Sequence, residues 1–214
     1  MFDGIERHLI SQVNNILIYE DPLFEKVLFK AAPRSKERYL YCLNQKKINH
    51  MPNHVIYHAN EYASYLYILS NEIWLQTAET EHAEKIYLLN RYLNAIDIFY
   101  DRKMPEVFFF EHPVGSVIGR AEIGNYFVLH QGVTVGGNLD WEYPTIGENV
   151  VLYSNAMVTG RCVIGKNCQI GAGVILHNET IEDGTTLVMS GNNITINSKR
   201  DHKVHYFHSE VRES

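Results

Sequence analysis

A chain of 214 residues is long enough to bury a proper core as one large domain or two smaller ones. Its 25 Asp and Glu against 19 Lys and Arg give a formal charge of −6, and no basic run could follow a nucleic-acid backbone or an anionic membrane. Polyanions are therefore excluded as expected partners.

The first ten residues carry Asp3 and Glu6 and only a brief apolar run, unlike the basic start and long apolar stretch of a secretory leader. No segment approaches the roughly 18 to 20 apolar residues that span a bilayer, and a cytoplasmic protein is expected. Asp21 followed by Pro22 reads as a helix start, with Asp as the cap and Pro in the first turn. Ile56, Ala59, Ala63, Leu66 and Ile73, then Ala83, Ile86, Leu89, Leu93 and Ile96, follow helical spacing. Tyr62, Tyr65 and Tyr67 are expected to pack in the core. An α-helical N-terminal domain is assigned to residues 1–104. Cys42, Cys162 and Cys168 are three in number without a CxxC, so reduced thiols are expected and neither a disulfide framework nor a zinc ribbon.

After Pro105 the period changes. Val117, Ile123, Leu129 and Val135 recur every six residues, and Ile146, Leu152, Val158, Ile164, Ile170 and Leu176 resume the step. Four places after most of them stands a second small or apolar residue, such as Phe127, Val133, Val150, Ala156, Cys162, Cys168, Val174 and Thr180. Such a hexapeptide repeat predicts a parallel β-helix over residues 105–193. Both marked positions of a hexad point inward, because strand side chains alternate with period two. Three hexads make one coil of a three-sided prism. His112 and His130 lie eighteen residues apart, so they are expected to stack at one corner with their rings outward. Cys162 and Cys168 are expected inward and inert. Between Val135 and Ile146 the repeat gains five residues, predicting a loop over residues 138–143 that leaves the coil and returns. The polar tail, residues 194–214, with His202, His205 and His208, reads as a flexible or partner-contacting end. With the helical half, it could cap the repeats.

Residues 131–137, QGVTVGG, followed after the loop by residues 144–150, PTIGENV, resemble the serine acetyltransferase branch of the hexapeptide acyltransferases. The resemblance covers roughly residues 95 to 190 and implies a left-handed β-helix, a homotrimer, and acetyl-CoA as co-substrate with no metal. The family's Asp-His pair corresponds to Glu111-His112, and its Asp-Ile, fifteen residues before the histidine, to Asp97-Ile98. The resemblance thus implies His112 as general base, oriented by Asp97. Glu111, next to that ring in an extended segment, should face away from it and contact the acceptor. His130, which stands where the family has Tyr, is assigned to the acceptor side. Gly136 and Gly137 are expected to offer backbone N–H groups to an oxyanion. Coenzyme A is expected near Asn155, Ala172 and Gly173, with Lys166 at a phosphate.

One departure bears on the acceptor. The family's Arg-His-Pro, which holds the carboxylate of an amino-acid acceptor, is replaced by Glu142-Tyr143-Pro144. An anion there would repel a carboxylate. Trp141, Glu142 and Tyr143 suit the rings and hydroxyls of a sugar, so O-acetylation of a saccharide is the leading expectation and serine O-acetylation the alternative. Readings of another class are a β-helical metal-dependent hydratase using His112, His130 and His177, and a non-catalytic trimeric scaffold.

Overall fold

The computed structural model describes residues 1–17, 21–47, 53–78, 80–191, 193–197 and 203–208. Four helices come first: α1 (Ile5–Leu17), α2 (Pro22–Gln45), α3 (Ala59–Thr77) and α4 (Thr80–Asn94). The expected start of α2 is present, since the Asp21 carboxylate accepts from Leu23 N at 2.9 Å with Pro22 in the first turn. The same carboxylate reaches Lys85 Nζ at 2.6 Å and His82 Nε2 at 3.0 Å, tying α2 to α4.

Helix α3 is the centre of this half and is buried on every face from Glu61 to Ile73. A helix buried all round must satisfy its polar side chains internally. Glu61 pairs with Lys46 at 2.9 Å, Glu72 with Arg38 at 2.7 Å, and Asn71 donates to Tyr100 O at 2.7 Å. Tyr62, Tyr65 and Tyr67 are buried, as expected. Leu93 and Ala59 depart from the expected stripes and are exposed. Helix α4 ends at Asn94, where Ala95 turns left-handed with φ +50°, so Ile96 belongs to the next segment and Leu93 is left outside.

The rest of the chain winds a three-sided parallel solenoid. The first wall stacks Phe108–Phe110, Phe127–Leu129, Val151–Leu152, Gln169–Ile170 and Thr186–Ser190, and an antiparallel strand, Asn193–Asn197, ends it. The second stacks Asp97–Ile98, Val117–Ile118, Thr134–Gly136, Met157–Thr159 and Ile175–His177. The third holds Glu122–Ile123, Thr145–Ile146, Val163–Ile164 and Thr180–Ile181. The register jumps by 23 residues on every wall across the interrupted coil, for instance Val128 to Val151 and Thr134 to Met157, which is the regular 18 plus the five inserted.

The interior is filled by the expected columns, and Cys162 and Cys168 are fully buried free thiols. Two expected inward residues face out. Val117 and Thr180 are exposed while Ile118 and Ile181 take the inward sites. The cause is coil length: Val117 pairs with Thr134 and Val163 with Thr180, seventeen residues on, and one residue of slip exchanges the faces of a strand. Where coils press together at a corner only glycine fits. A Cβ on Gly147 would lie 2.8 Å from the backbone of Gly165.

The helical half closes one end of the prism, with Tyr67 edge-on to Phe108 and Cys42 Sγ bonded to Phe108 O. The hairpin of the last two strands closes the other. The tail is docked where it is described. Phe207 is fully buried on the outer face of the first wall against Val107, Phe109, Val128 and Val151. Lys47 N donates to Tyr206 O at 2.8 Å and His208 N to Gln45 O at 2.9 Å, so residues 206–208 run beside the end of α2. A tail read as polar, and as flexible or partner-contacting, thus buries Phe207 and half-buries Tyr206; His202 lies outside the described residues. Among the described residues, no helix is long and apolar enough to cross a membrane.

Candidate active site

Each edge of the prism is a column of corners, and the predicted site residues fall on all three. The edge from the first wall to the second carries left-handed backbone at Gly115, Gly132, Asn155 and Gly173, with φ between +60° and +75°. Backbone bonds link them coil to coil, including Gly132 N to Val114 O and Gly173 N to Ser154 O. Asn and Gly tolerate this conformation with little strain, which is why they hold the column.

His112 belongs to this edge, and its corner is enlarged. The first wall advances 19 residues from Phe108 to Phe127, whereas the second advances 17 from Val117 to Thr134. Two extra residues are therefore absorbed between Phe110 and Gly115. His112 itself turns left-handed, φ +49°, immediately before Pro113, a conformation uncommon for a side-chain-bearing residue, although histidine is among those that adopt it. The widened corner lifts the ring out, and its side chain is 75% exposed.

The same insertion changes its neighbours. Glu111 N donates to Leu129 O, so Glu111, not His112, stands across from His130. The eighteen-residue spacing of the two histidines therefore does not stack them. Nor does Glu111 face away from the ring: its Oε1 lies 3.2 Å from His112 Nε2, because the left-handed turn breaks the extended alternation. His130 is half-buried, stacks on Tyr153 with centroids 5.0 Å apart, and places Nε2 3.1 Å from the Tyr206 hydroxyl. Burial and then the neighbouring His112 charge hold its pKa below the ordinary histidine value. Asp97, on the adjoining wall, accepts from the Tyr87 hydroxyl at 2.8 Å and lies 3.5 Å from Arg91. Its backbone N donates to Ser116 O, four residues past His112.

Tyr153 and Tyr206 were missed by sequence reasoning. Tyr153 had a signal, since it follows His130 by one coil once the five-residue insertion is counted. Tyr206 had none beyond an aromatic pair, Tyr206-Phe207, in a polar tail. Of the predicted coenzyme A contacts, Asn155, Ala172 and Gly173 share the His112 edge, with Ala172 and Gly173 exposed.

The second edge carries the loop and its glycines. Asn138 organises the loop: its Oδ1 accepts from the backbone N of Asp140 and Glu142, both at 3.0 Å. Its Nδ2 donates to Glu142 Oε2 at 2.7 Å, so that carboxylate is bonded inside the loop. Tyr143 packs on Gly137, where a Cβ would come within 2.7 Å of its ring, and the Arg120 guanidinium lies over that ring, 5.8 Å from the centroid. Gly136 faces open space, and Trp141 is 78% exposed at φ +62°. Lys166 is on the third edge, exposed, with its N bonded to Asp183. His177 ends a strand of the second wall, between Thr159 and Asn178. One prism does not bring the three edges together.

Comparison with known proteins agrees with this architecture. Residues 143–178 match the model of the bacterial transferase hexapeptide family, six repeats, which indicates a left-handed helix. A serine acetyltransferase of Synechococcus elongatus is 35% identical over 107 residues, covering 48% of this chain and 44% of that protein. One from Bacillus licheniformis is 32% identical over 122 residues, covering 55% and 56%. The aligned stretch thus spans about half the length of these relatives. In fold, the serine acetyltransferase of Brucella abortus superposes with TM-score 0.67 at 17% identity, over 92% of this chain and 84% of that one. The chain is a helix-capped hexapeptide-repeat protein, and its resemblance among acyltransferases is to the serine acetyltransferases.

Proposed function

We propose that the chain is an acyl-CoA-dependent O-acetyltransferase that moves acetyl from acetyl-CoA to the hydroxyl of serine. The observation that carries the reading is His112, lifted at an enlarged corner of a hexapeptide prism with a carboxylate on its ring. The acceptor follows from the relatives, which are named serine acetyltransferases. They favour serine over the saccharide suggested by residues 142–144. The repulsion argued from Glu142 weakens, because that carboxylate is bonded to Asn138 inside the loop. The replaced Arg and His at residues 142–143 and the exposed ring of Trp141 are the observations that favour a saccharide.

In this reading neutral His112 takes the proton of the acceptor hydroxyl as its oxygen attacks the thioester carbon. Histidine's neutral form is well populated near pH 7, and positioned proton transfer is worth about 10² to 10⁴ in rate, roughly 3 to 5 kcal/mol of barrier. The tetrahedral oxyanion collapses, the C–S bond breaks, and the thiolate leaves as coenzyme A after taking a proton back. Glu111 stabilises the imidazolium formed on the way. Asp97 keeps the orienting role on the family resemblance alone, since its carboxylate is bonded to Tyr87 and lies beside Arg91, while the carboxylate on the His112 ring is that of Glu111. Backbone N–H groups around Gly136 and Gly137 receive the oxyanion, and the pantetheine arm runs past Asn155, Ala172 and Gly173 with Lys166 toward a phosphate.

These groups occupy different edges of one prism, so the site is completed between copies of a homotrimer, in a cytoplasmic enzyme. The hydratase alternative would need His177 beside His112 and His130, but it sits on another wall, bonded to Thr159 and Asn178. A scaffold that only trimerises leaves the lifted His112 without a use. Thiol release from acetyl-CoA, measured with serine and with a panel of saccharides, tests the proposal. Turnover with serine supports it, and turnover with saccharides alone replaces the acceptor.

A further inference from the structure

The C-terminal segment reaches the candidate site, and nothing in the repeat requires it there. Helix α5 (Lys203–Tyr206) and the residue after it lie across the outer face of the first wall. Phe207 anchors them, edge-on to Tyr126 at 5.2 Å and to Phe109 at 6.4 Å, and its backbone bridges Lys46 at the end of α2. Burying one such ring stabilises docking by about 2 kcal/mol, in addition to the two backbone hydrogen bonds at Lys47 and His208. The segment is thereby held in register, and Tyr206 is the residue it delivers.

The Tyr206 ring packs on Phe109, 5.7 Å between centroids, and sets its hydroxyl 3.1 Å from His130 Nε2. The groups around His130 are Glu111 and His112 from the preceding coil, Tyr153 from the following one, and Tyr206 from the tail. Burial, then the charge of Tyr153 and a hydrogen bond with it, then the Glu111 charge, push the Tyr206 phenol above its ordinary pKa, so it stays protonated with one proton to give to His130 or to Tyr153. Accepting at Nε2 leaves the imidazole its proton on Nδ1 and favours the uncharged ring.

Resting on the reading of His112 as base, we propose that Tyr206 is a positioning residue of the site. Its phenol fixes His130 as the neutral, Nδ1-protonated tautomer, so that no second positive charge competes with His112 for the Glu111 carboxylate standing across from His130. A charged His130 would compete for that carboxylate and repel the imidazolium that His112 becomes during transfer. The tail is in this way a working part of the acceptor side.

The test is nitrogen NMR of the full chain labelled at histidine, with wild type compared with Tyr206→Phe. That variant keeps the ring on Phe109 and loses only the hydroxyl. Wild-type His130 is expected to show an unprotonated Nε2 and a protonated Nδ1 through the neutral range. In the variant the neutral form loses its donor, and the excess of Nδ1-protonated over Nε2-protonated neutral His130 should fall about tenfold. A proton on Nε2 in wild type, or an unmoved tautomer ratio in Tyr206→Phe, overturns the proposal. These signals report His130 itself, whereas the serine assay tests the reading beneath it.

Discussion

Lys46 and Glu61 form an ion pair with both side chains fully buried, 2.9 Å apart, at the seam between the helical half and the prism. Lys46 also lies 5.5 Å and 5.4 Å from the centroids of Phe108 and Phe109. At an effective dielectric near 20 the pair attracts by about 6 kcal/mol, but taking both charges out of water offsets most of that. Removing one partner is another matter, because the survivor is a buried charge with nothing opposite it. Lys46→Met should cost about 3 to 5 kcal/mol, while Lys46→Met with Glu61→Leu should recover most of the loss. Urea unfolding followed by far-UV circular dichroism checks this. A single variant within about 1 kcal/mol of wild type, or a double variant as unstable as the single, would refute the reasoning.

Gly147→Ala should destabilise by about 1 to 3 kcal/mol, seen as a lower melting temperature, since its Cβ would press into the Gly165 backbone. The hydrogen bond from Lys85 is the main cause that holds the Asp21 carboxyl at about 2, below its ordinary 3.8. A carboxyl depressed on folding stabilises above its unfolded value and loses that contribution as pH falls from about 4 to about 2. Asp21→Asn should flatten the acid side of the stability curve by about 1 kcal/mol, allowing for solvent around the pair. Asp97→Asn should lower kcat in the thiol-release assay by at least about 10², with the fold retained, if that carboxylate orients His112.

The prism was legible because its physics is periodic. Inward columns such as Leu152, Val158 and Ile164 recur at a step that no helix and no ordinary sheet produces, and the loop declared itself as a break in that step. What stayed hidden was departure from the mean. Coils of 19 and 17 residues average to 18, so the pattern gave His112 and His130 a shared corner and concealed the two-residue enlargement that puts Glu111 opposite His130. The same averaging put Val117 inward in place of Ile118. Contacts between distant segments have no period at all: the Tyr206–His130 bond joins residues 76 apart and could be found only in three dimensions. On the acceptor, a sequence shows that residue 142 is Glu but not where its carboxylate points, and the relatives favour the serine alternative.

The most direct measurement of the central claim is acetyl-CoA turnover with serine by His112→Ala, beside coenzyme A binding by calorimetry on the same preparation. The variant should keep the fold and coenzyme A affinity, because the ring is exposed and supports no packing, and should lose at least about 10² in kcat. Turnover equal to wild type would contradict the account, since the widened corner would then lift a ring that moves no proton.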